Sequence, residues 1–170
     1  MSQAEHKAVA PRSVRCFVLT VSDTRTEDTD TSGRAIVDLL LSAGHAVVGR
    51  AIVKDDPALL RNAVMLQLAT SADTGPQVII TTGGTGITAR DTTYEAVVEL
   101  LDKRLDGFGE LFRMLSYEQI GAAAMMSRAC AGLIGQRIIV SLPGAEAAVR
   151  LAMEKLVLPE LGHLVQQASK

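Results

Sequence analysis

Short apolar runs alternate along this chain with longer segments in which apolar residues recur at helical spacing. Residues Cys16–Val21 are apolar or β-branched without interruption, which is typical of a strand buried on both faces. The segments His45–Val53, Val78–Ile80 and Ile138–Ser141 have a similar composition. The pattern therefore predicts four strands.

Helices are predicted between these strands, because Ser, Thr, Asp and Pro residues precede apolar stripes of helical period. The first helix follows a cap at Thr31 or Ser32, and the second begins at Pro57, a residue suited to a first helical turn. The remaining predicted helices span about 92–101, 110–120, 122–131 and 145–158.

The element order is βαβαβα, then two helices, then βα. Strands that alternate with helices predict a parallel sheet with right-handed crossovers. We therefore predict an α/β fold, a three-layer sandwich with a mostly parallel sheet and helices on both faces. Residues 1–13 are predicted to form a flexible N-terminal arm, and residues 14–170 a single domain.

Composition narrows the classes of function. The net charge of −2 and the absence of Trp argue against electrostatic capture of nucleic acid and against a base-stacking platform. We find no signal peptide and no apolar run of membrane-spanning length, so we expect a cytoplasmic protein without nucleic-acid or membrane partners. Cys16 and Cys130 match no metal or redox spacing and are predicted to be core residues.

Polar residues and glycines follow each predicted strand. Ligands of open parallel sheets bind beyond the carboxyl ends of the strands. The four segments at these positions contain Ser22-Asp23, Asp55-Asp56, Gly83–Asp91 and Pro143-Gly144. We expect them to meet at one edge of the sheet and to form one ligand site.

The segment after the third strand suits a phosphate group. Gly83, Gly84 and Gly86 permit a tight turn, and successive N–H groups in such a turn can bind an anion. Polar side chains that add donors here are Thr81, Thr82, Thr85, Thr88 and Arg90. The carboxylates of Asp55 and Asp91 suit Mg²⁺ that is shared with phosphate oxygens. Together they predict a metal–polyphosphate site.

A purely structural interpretation of the same residues stays open. The glycines can serve a tight turn alone, Asp55 can cap the helix that begins near Pro57, and Asp91 can cap the one near Thr92. The P-loop and dinucleotide fingerprints are absent, and no histidine pair or catalytic triad is evident.

The stretch Ala122–Gly132 is small and apolar, and we predict a buried or intersubunit helix there. Ser127 and Arg128 interrupt this stretch. For both side chains a local hydrogen bond is favoured over a contact with a ligand.

Several motifs, taken in order, resemble those of the molybdopterin-binding domain family of molybdenum cofactor biosynthesis. They are Thr20-Val21-Ser22-Asp23, Thr81–Gly86 with Arg90-Asp91, Gly107-Phe108-Gly109-Glu110 and Leu142-Pro143-Gly144. Within that family, Asp28–Gly33 and Phe112–Glu118 resemble the protein B (MoaB) branch. The resemblance covers about residues 14–160.

The resemblance implies an α/β sandwich that assembles into trimers or hexamers and binds molybdopterin, a pterin dithiolene with a terminal phosphate. Catalytic relatives transfer AMP from Mg-ATP to that phosphate. The two acids of those relatives match Asp55 and Asp91, which implies catalytic residues that also hold Mg²⁺. The ligand-binding residues implied by the resemblance are Ser22, Asp23, Thr82, Gly83, Gly84, Thr85, Gly86, Arg90, Pro143 and Gly144.

The chain departs from the family pattern at two places. Lys54 stands where catalytic members often have Pro, and Ala145-Glu146-Ala147 stands where many have Asn or Ser followed by Pro and Lys. Two alternatives to adenylyl transfer therefore remain: a non-catalytic molybdopterin carrier of the same pathway, and an unrelated sugar-phosphate or nucleotide binder.

Overall fold

The computed structural model describes residues 9–170, so residues 1–8 of the predicted arm lie outside it. The described chain contains six strands: β1 (Arg15–Val21), β2 (Ala46–Val53), β3 (Val78–Thr82), β4 (Lys103–Arg104), β5 (Cys130–Ile134) and β6 (Arg137–Leu142). Its α-helices are α1 (Thr31–Ser42), α2 (Pro57–Leu68), α3 (Thr93–Val98), α4 (Asp106–Ile120), α5 (Glu146–Ala152) and α6 (Leu158–Ala168). A 3₁₀ helix spans Gly121–Met126, and a π-helical turn, Met153–Val157, joins α5 to α6.

The strands form one sheet in the order β2-β1-β3-β6-β5-β4. The first four are parallel, with Phe17 beside Ile79 and Ile79 beside Ile139, whereas β5 and β4 are antiparallel. Largely apolar strands form the middle of the sheet because both of its faces are covered. The buried Thr20, Thr81, Thr82 and Ser141 lie toward the carboxyl ends of these strands.

Two hydrophobic clusters cover the two faces of the sheet. On one face, side chains of β1 and β6 pack against α1, α4, α5 and α6. On the other face, α2 and α3 pack against the alternate side chains of the same strands. Val18 and Leu19 illustrate the alternation, since these successive residues of β1 belong to opposite clusters. The predicted three-layer α/β sandwich is confirmed. Within the described part of the chain, no helix has the length and apolar character to cross a bilayer.

The predicted helix over 122–131 is wrong. The 3₁₀ helix ends at Met126, and the chain then forms β5, whose residues Cys130 and Ala131 are buried on opposite faces of the sheet. Small apolar residues suit either structure, and two glycines decide between them. Gly135 turns the chain back into β6 with φ +58°, and a Cβ on Gly132 would lie 2.4 Å from the Lys103 carbonyl oxygen of β4.

The predicted caps of the first two helices also need correction. Asp30, and not Thr31 or Ser32, is the N-cap of α1, where its carboxylate accepts a hydrogen bond from the Gly33 N–H at 2.9 Å. Asp56, and not Asp55, caps α2 by accepting hydrogen bonds from the Ala58 and Leu59 N–H groups. Asp55 is therefore free of the structural role considered for it above.

Candidate functional site

A cavity of about 320 Å³ lies at the carboxyl edge of the four parallel strands. It is lined by Thr20, Val21, Ser22, Asp23, Arg25, Asp30, Ser32, Asp55, Thr82, Gly83, Gly84 and Gly144. These residues come from the ends of β1, β2, β3 and β6 and from the start of α1. The four segments predicted to meet at one edge thus each contribute to one cavity.

The glycine segment after β3 adopts a backbone that only glycine accepts readily. Gly83 and Gly84 have φ values of +106° and +68°. A Cβ on Gly83 would lie 2.2 Å from the Val21 carbonyl oxygen, and one on Gly84 would lie 2.1 Å from Thr93 Oγ1. These glycines let the β3 end approach β1 on one side and α3 on the other.

Asp55 and Asp91 lie against the same glycine segment. Asp55 Oδ1 is 3.3 Å from the position of a Cβ on Gly84, and Asp91 Oδ2 is 2.7 Å from that of a Cβ on Gly86. Asp91 Oδ2 also accepts hydrogen bonds from the N–H and hydroxyl of Thr88, at 2.8 and 2.6 Å. Asp91 therefore organises the loop and does not cap α3, whose N-cap is Thr92.

Asp55 is the least compensated charge in the cavity. Its Oδ1 is buried and has no hydrogen-bond partner. Desolvation by burial, followed by repulsion from Asp23 and Asp91, raises the pKa of Asp55 above its ordinary value. No ion pair of Asp55 is found between residues 9 and 170. A ligand that carries positive charge would therefore stabilise the ionised form of the Asp55 carboxylate.

Asp23 lines the cavity, and its ion-pair partner Arg90 lies beside the cavity. Asp23 forms an ion pair with Arg90 and also accepts a hydrogen bond from the Asp55 N–H at 3.1 Å. The hydrogen bond from Arg90 is the main cause that lowers the pKa of Asp23. Arg90 itself is exposed, so it can exchange its carboxylate partner for a phosphate group with little change in burial.

The opposite wall contains a polar network that the sequence interpretation missed. Asp30 Oδ2 accepts hydrogen bonds from the Thr20 hydroxyl at 2.6 Å and from Arg50 Nη2 at 2.7 Å. A Cβ on Gly33 would lie 2.2 Å from Asp30 Oδ2, so the network needs glycine there. The signal in the sequence was the Asp-x-x-Gly spacing of Asp30 and Gly33 at the start of a helix, which is typical of a cap.

The end of β6 supplies the floor of the cavity. The Thr82 hydroxyl donates to the Pro143 carbonyl at 2.8 Å, and the Ser32 hydroxyl donates to the Gly144 carbonyl at 2.6 Å. These bonds connect β3 and α1 to the Leu142-Pro143-Gly144 turn.

The predicted site residues thus fall into two groups. Those that line the cavity are Ser22, Asp23, Asp55, Thr82, Gly83, Gly84 and Gly144. Those that lie beside the cavity, within or next to the segments that form it, are Thr85, Gly86, Arg90, Asp91 and Pro143. Lining residues that sequence reasoning did not select include Arg25, Asp30 and Ser32. Arg25 carries no motif, and only the fold brings it to the cavity.

The oxygen donors next to the glycine segment fit a hard divalent cation. Two buried oxygens without a partner, Asp55 Oδ1 and Thr93 Oγ1, both lie close to Gly84. Among residues 9–170, no group of three or more His, Cys, Asp or Glu side chains converges on one point. A cation here would take at most two protein carboxylates and complete its shell with water and ligand oxygens, which is the usual pattern for Mg²⁺.

A second, larger cavity of about 640 Å³ lies between the start of α4 and the residues around α6. Its lining is mostly apolar, with Phe108, Leu111 and Leu156 among its members. It contains no part of the glycine segment and neither of the two predicted catalytic acids. The polar cavity at the strand ends is therefore the better candidate for phosphate chemistry.

Known proteins share this architecture over nearly the whole chain. A family model described as a probable molybdopterin binding domain matches residues 17–163. The chain is 56% identical over 165 residues to molybdenum cofactor biosynthesis protein B of Bacillus cereus, with 96% of each chain covered. It is 50% identical over 171 residues to the protein of the same name from Bacillus subtilis, with 100% of this chain and 99% of that one covered. A crystal structure of a molybdenum cofactor biosynthesis protein B superposes with a TM-score of 0.89 at 53% identity, covering 94% of this chain and 98% of that chain.

Proposed function

Because the chain belongs to the molybdopterin-binding domain family, and within it to the molybdenum cofactor biosynthesis protein B group, we propose that it transfers AMP from Mg-ATP to the terminal phosphate of molybdopterin. Membership of this group assigns the protein to molybdenum cofactor biosynthesis. The transfer reaction is the step that best matches the chemistry of the cavity.

The state of Asp55 carries the proposal. A half-buried carboxylate with an unpartnered oxygen beside a glycine turn raises the energy of the empty site. A metal-bound polyphosphate would bring a cation to the carboxylate and phosphate oxygens to the loop N–H groups. A simple anion would not compensate Asp55, because it carries the same sign of charge.

In the proposed reaction, an oxygen of the pterin phosphate forms a bond to the α-phosphorus of ATP. The bond from that phosphorus to the oxygen bridging to the β-phosphorus breaks, and pyrophosphate leaves with the electron pair. Asp55 and Asp91 would hold Mg²⁺, which when bound neutralises charge on the phosphates. No covalent enzyme intermediate is required, because positioning and electrostatics carry this class of chemistry.

The chain's own groups then have separate tasks. The Gly83 N–H donates to the Leu142 carbonyl and the Gly86 N–H to the Asp91 carboxylate, so the Gly84 and Thr85 N–H groups would bind phosphate oxygens. Arg90 would leave Asp23 to stabilise charge on the departing pyrophosphate. Ser32 and Thr82 hold the Pro143-Gly144 turn at the floor of the cavity by hydrogen bonds to its carbonyls.

A second candidate, a molybdopterin carrier without transfer activity, is supported by the segment after Gly144. Glu146 stands in the first turn of α5 and is ion-paired with Arg150 at 2.8 Å. Ala147 stands where many relatives have Lys, so a cation that could contact the nucleotide is missing there. The carrier would bind the pterin in the same cavity but bind Mg-ATP poorly.

A single-turnover assay separates the two candidates. The protein in excess over molybdopterin is mixed with Mg-ATP labelled at the α-phosphate, and the adenylylated pterin and pyrophosphate are quantified. We expect label in the pterin product, and a loss of about hundredfold or more in the Asp91→Ala variant. Pterin binding without any transfer of label would establish the carrier, and absence of pterin binding would contradict both candidates.

We also propose that the protein is a homo-oligomer, a trimer or a hexamer. Large apolar side chains are exposed along one stretch of the surface: Leu111, Met114, Tyr117, Ile120, Met125 and Met126. A contiguous apolar surface of this kind is costly in water and typical of an interface between subunits. Light scattering should therefore give a mass of three or six times 18.0 kDa, and a stable monomer would contradict the proposal.

A further inference from the structure

Arg128 contacts the 85–91 segment but does not line the cavity. Its main-chain N–H donates to the Thr85 carbonyl at 3.0 Å. Its side chain donates from Nε to the Gly86 carbonyl at 2.8 Å and from Nη2 to the Asp91 carbonyl at 2.9 Å. One residue therefore holds both ends of the 85–91 segment.

The guanidinium group is itself fixed by the helix that follows this segment. Arg128 Nη1 forms an ion pair with Glu95, and the guanidinium lies over the Tyr94 ring at 5.1 Å from its centroid. Both partners belong to α3. A guanidinium has a planar, rigid arrangement of donors that a lysine ammonium cannot reproduce. The contacts of Arg128 with Gly86, Asp91 and Glu95 therefore depend on the geometry of the guanidinium group and not on its positive charge alone.

These three carbonyl contacts determine where the loop N–H groups point. In a trans peptide the carbonyl and the following N–H point in opposite directions, and the described chain has no cis peptide bond. Since the Thr85 carbonyl faces Arg128, the Gly86 N–H faces away from it, toward the Asp91 carboxylate. Since the Gly86 carbonyl also faces Arg128, the Ile87 N–H likewise points away from the guanidinium.

We propose that Arg128 is a positioning residue for the transfer reaction, because it holds the 85–91 segment in the one conformation that sets Asp91 at a fixed place relative to Asp55. The inference rests on the function proposed above, in which both acids hold the metal. Arg128 does not line the cavity and contacts no reacting group. It acts through the loop.

The chain offers a matched control for this role. Arg104 also lies over the Tyr94 ring, at 6.0 Å, and donates to the Tyr94 hydroxyl at 3.0 Å. It makes no hydrogen bond to the 85–91 segment in the described structure. Arg104→Ala therefore removes an arginine from the same tyrosine while leaving the loop contacts intact.

The first arm of the test measures transfer in Arg128→Lys, Arg128→Ala and Arg104→Ala as a function of Mg²⁺ concentration. For both Arg128 variants we expect about a tenfold to hundredfold increase in the Mg²⁺ concentration that gives half-maximal rate, the usual effect of losing a group that orients a metal ligand. Added guanidinium ion should partly restore the Mg²⁺ dependence of the transfer rate in Arg128→Ala. Arg104→Ala should behave as the unaltered protein does.

The second arm needs no activity. Hydrogen–deuterium exchange in the ligand-free protein should show amides of residues 85–92 exchanging about tenfold faster in Arg128→Lys, because hydrogen bonds from a charged donor have been lost. Exchange elsewhere, and in Arg104→Ala, should not change. The lysine variant keeps this arm usable even if Arg128→Ala does not fold.

The two arms separate failure of the inference from failure of the proposed function. If the unaltered protein transfers no AMP, the proposed function is wrong and exchange alone decides whether Arg128 orders the loop. Unchanged loop exchange in Arg128→Lys would overturn the positioning role. So would an unchanged Mg²⁺ dependence in an active Arg128→Lys variant.

Discussion

Two aspartates line the same cavity in opposite surroundings. Asp30 has no exposed surface, and its carboxylate accepts hydrogen bonds from Thr20, Gly33 and Arg50. Asp55 is half-buried, has one oxygen without a partner, and lies near two other carboxylates. Hydrogen bonds outweigh the desolvation of Asp30, whereas the contributions of Arg90 and Thr92 do not outweigh the desolvation and repulsion at Asp55.

The pKa values of the two groups express this difference. Desolvation by burial raises the pKa of Asp30, but hydrogen bonds from Thr20, Arg50 and Gly33 together outweigh it, and the net shift is downward. For Asp55 desolvation is the largest cause and repulsion from Asp23 and Asp91 adds to it, so the pKa rises. The Asp30 carboxylate is therefore stabilised in its charged form by the fold, whereas burial and neighbouring carboxylates disfavour the charged form of Asp55.

Replacing Asp30 should have the largest effect. Asp30→Ala removes the α1 cap and leaves the Arg50 guanidinium without its carboxylate, so we expect a loss of about 3 kcal/mol in the free energy of unfolding. Urea denaturation followed by circular dichroism measures this. Arg50→Met in the Asp30→Ala background should recover part of the loss, because the unpaired charge is then gone.

The same substitution has a predictable pH dependence. The folded pKa of Asp30 is lowered, so its stabilising contribution is complete above the ordinary Asp pKa of about 3.9 and disappears as the pH falls through the lower folded value. The stability difference between the unaltered protein and Asp30→Ala should therefore shrink only in strong acid. A difference already lost near neutral pH would contradict the satisfied state of this group.

Replacing Asp55 should affect chemistry more than folding. Asp55→Asn keeps the shape of the side chain but removes the charge that would hold the metal, so the transfer rate should fall about hundredfold, which corresponds to about 2.7 kcal/mol. Single-turnover rates at saturating Mg-ATP measure the effect. Asp56→Asn is the matched control, since Asn caps α2 as well as Asp does. Equal losses in both variants would mean that the effect is not specific to Asp55.

This contrast shows which parts of the site the sequence could predict. The positions of Asp55 and the glycine segment follow from topology, because parallel strands place their carboxyl ends at one edge. The distinction between Asp55 and Asp56 does not follow from topology. Both precede Pro57 with the same side chain, and only the backbone torsions direct Asp56 onto the helix N–H groups.

The second feature that the sequence could not predict is the pairing of strands β4 and β5. The three-layer fold follows from alternating strands and helices, but β4 and β5 do not have a distinctive pattern. β4 is two residues long, and β5 consists of small apolar residues that suit a helix equally well. Their structure depends on pairing: β5 pairs with β6, and β4 pairs with β5, where glycine at position 132 admits the β4 backbone. Such a requirement appears only when the partner strand is known.

The smallest predicted effect concerns the thermal stability of Asp55→Asn. It is the most discriminating prediction, because this substitution should stabilise the protein, whereas most substitutions destabilise it. In the folded protein the pKa of Asp55 is raised, so ionisation of this group costs stability. That cost begins as the pH rises through the ordinary value of about 3.9 and is complete above the raised folded pKa. Asp55→Asn removes it. The variant should therefore melt at a slightly higher temperature than the unaltered protein at about pH 7.5, with metal removed by a chelator.

This advantage should shrink as the pH is lowered toward the ordinary Asp value of about 3.9, because a raised folded pKa makes the carboxyl bind its proton more readily in the folded protein. Added Mg²⁺ should raise the melting temperature of the unaltered protein and leave that of Asp55→Asn unchanged, because binding to the folded state alone shifts stability by mass action. Asp30→Asn provides the opposite reference, since it should lower the melting temperature with or without Mg²⁺. If Asp55→Asn is instead destabilised at about pH 7.5, the carboxylate is satisfied within the fold. Asp55 would then be stabilised in its charged form by the fold, as Asp30 is. The cavity would have no uncompensated negative charge to attract a metal-bound nucleotide.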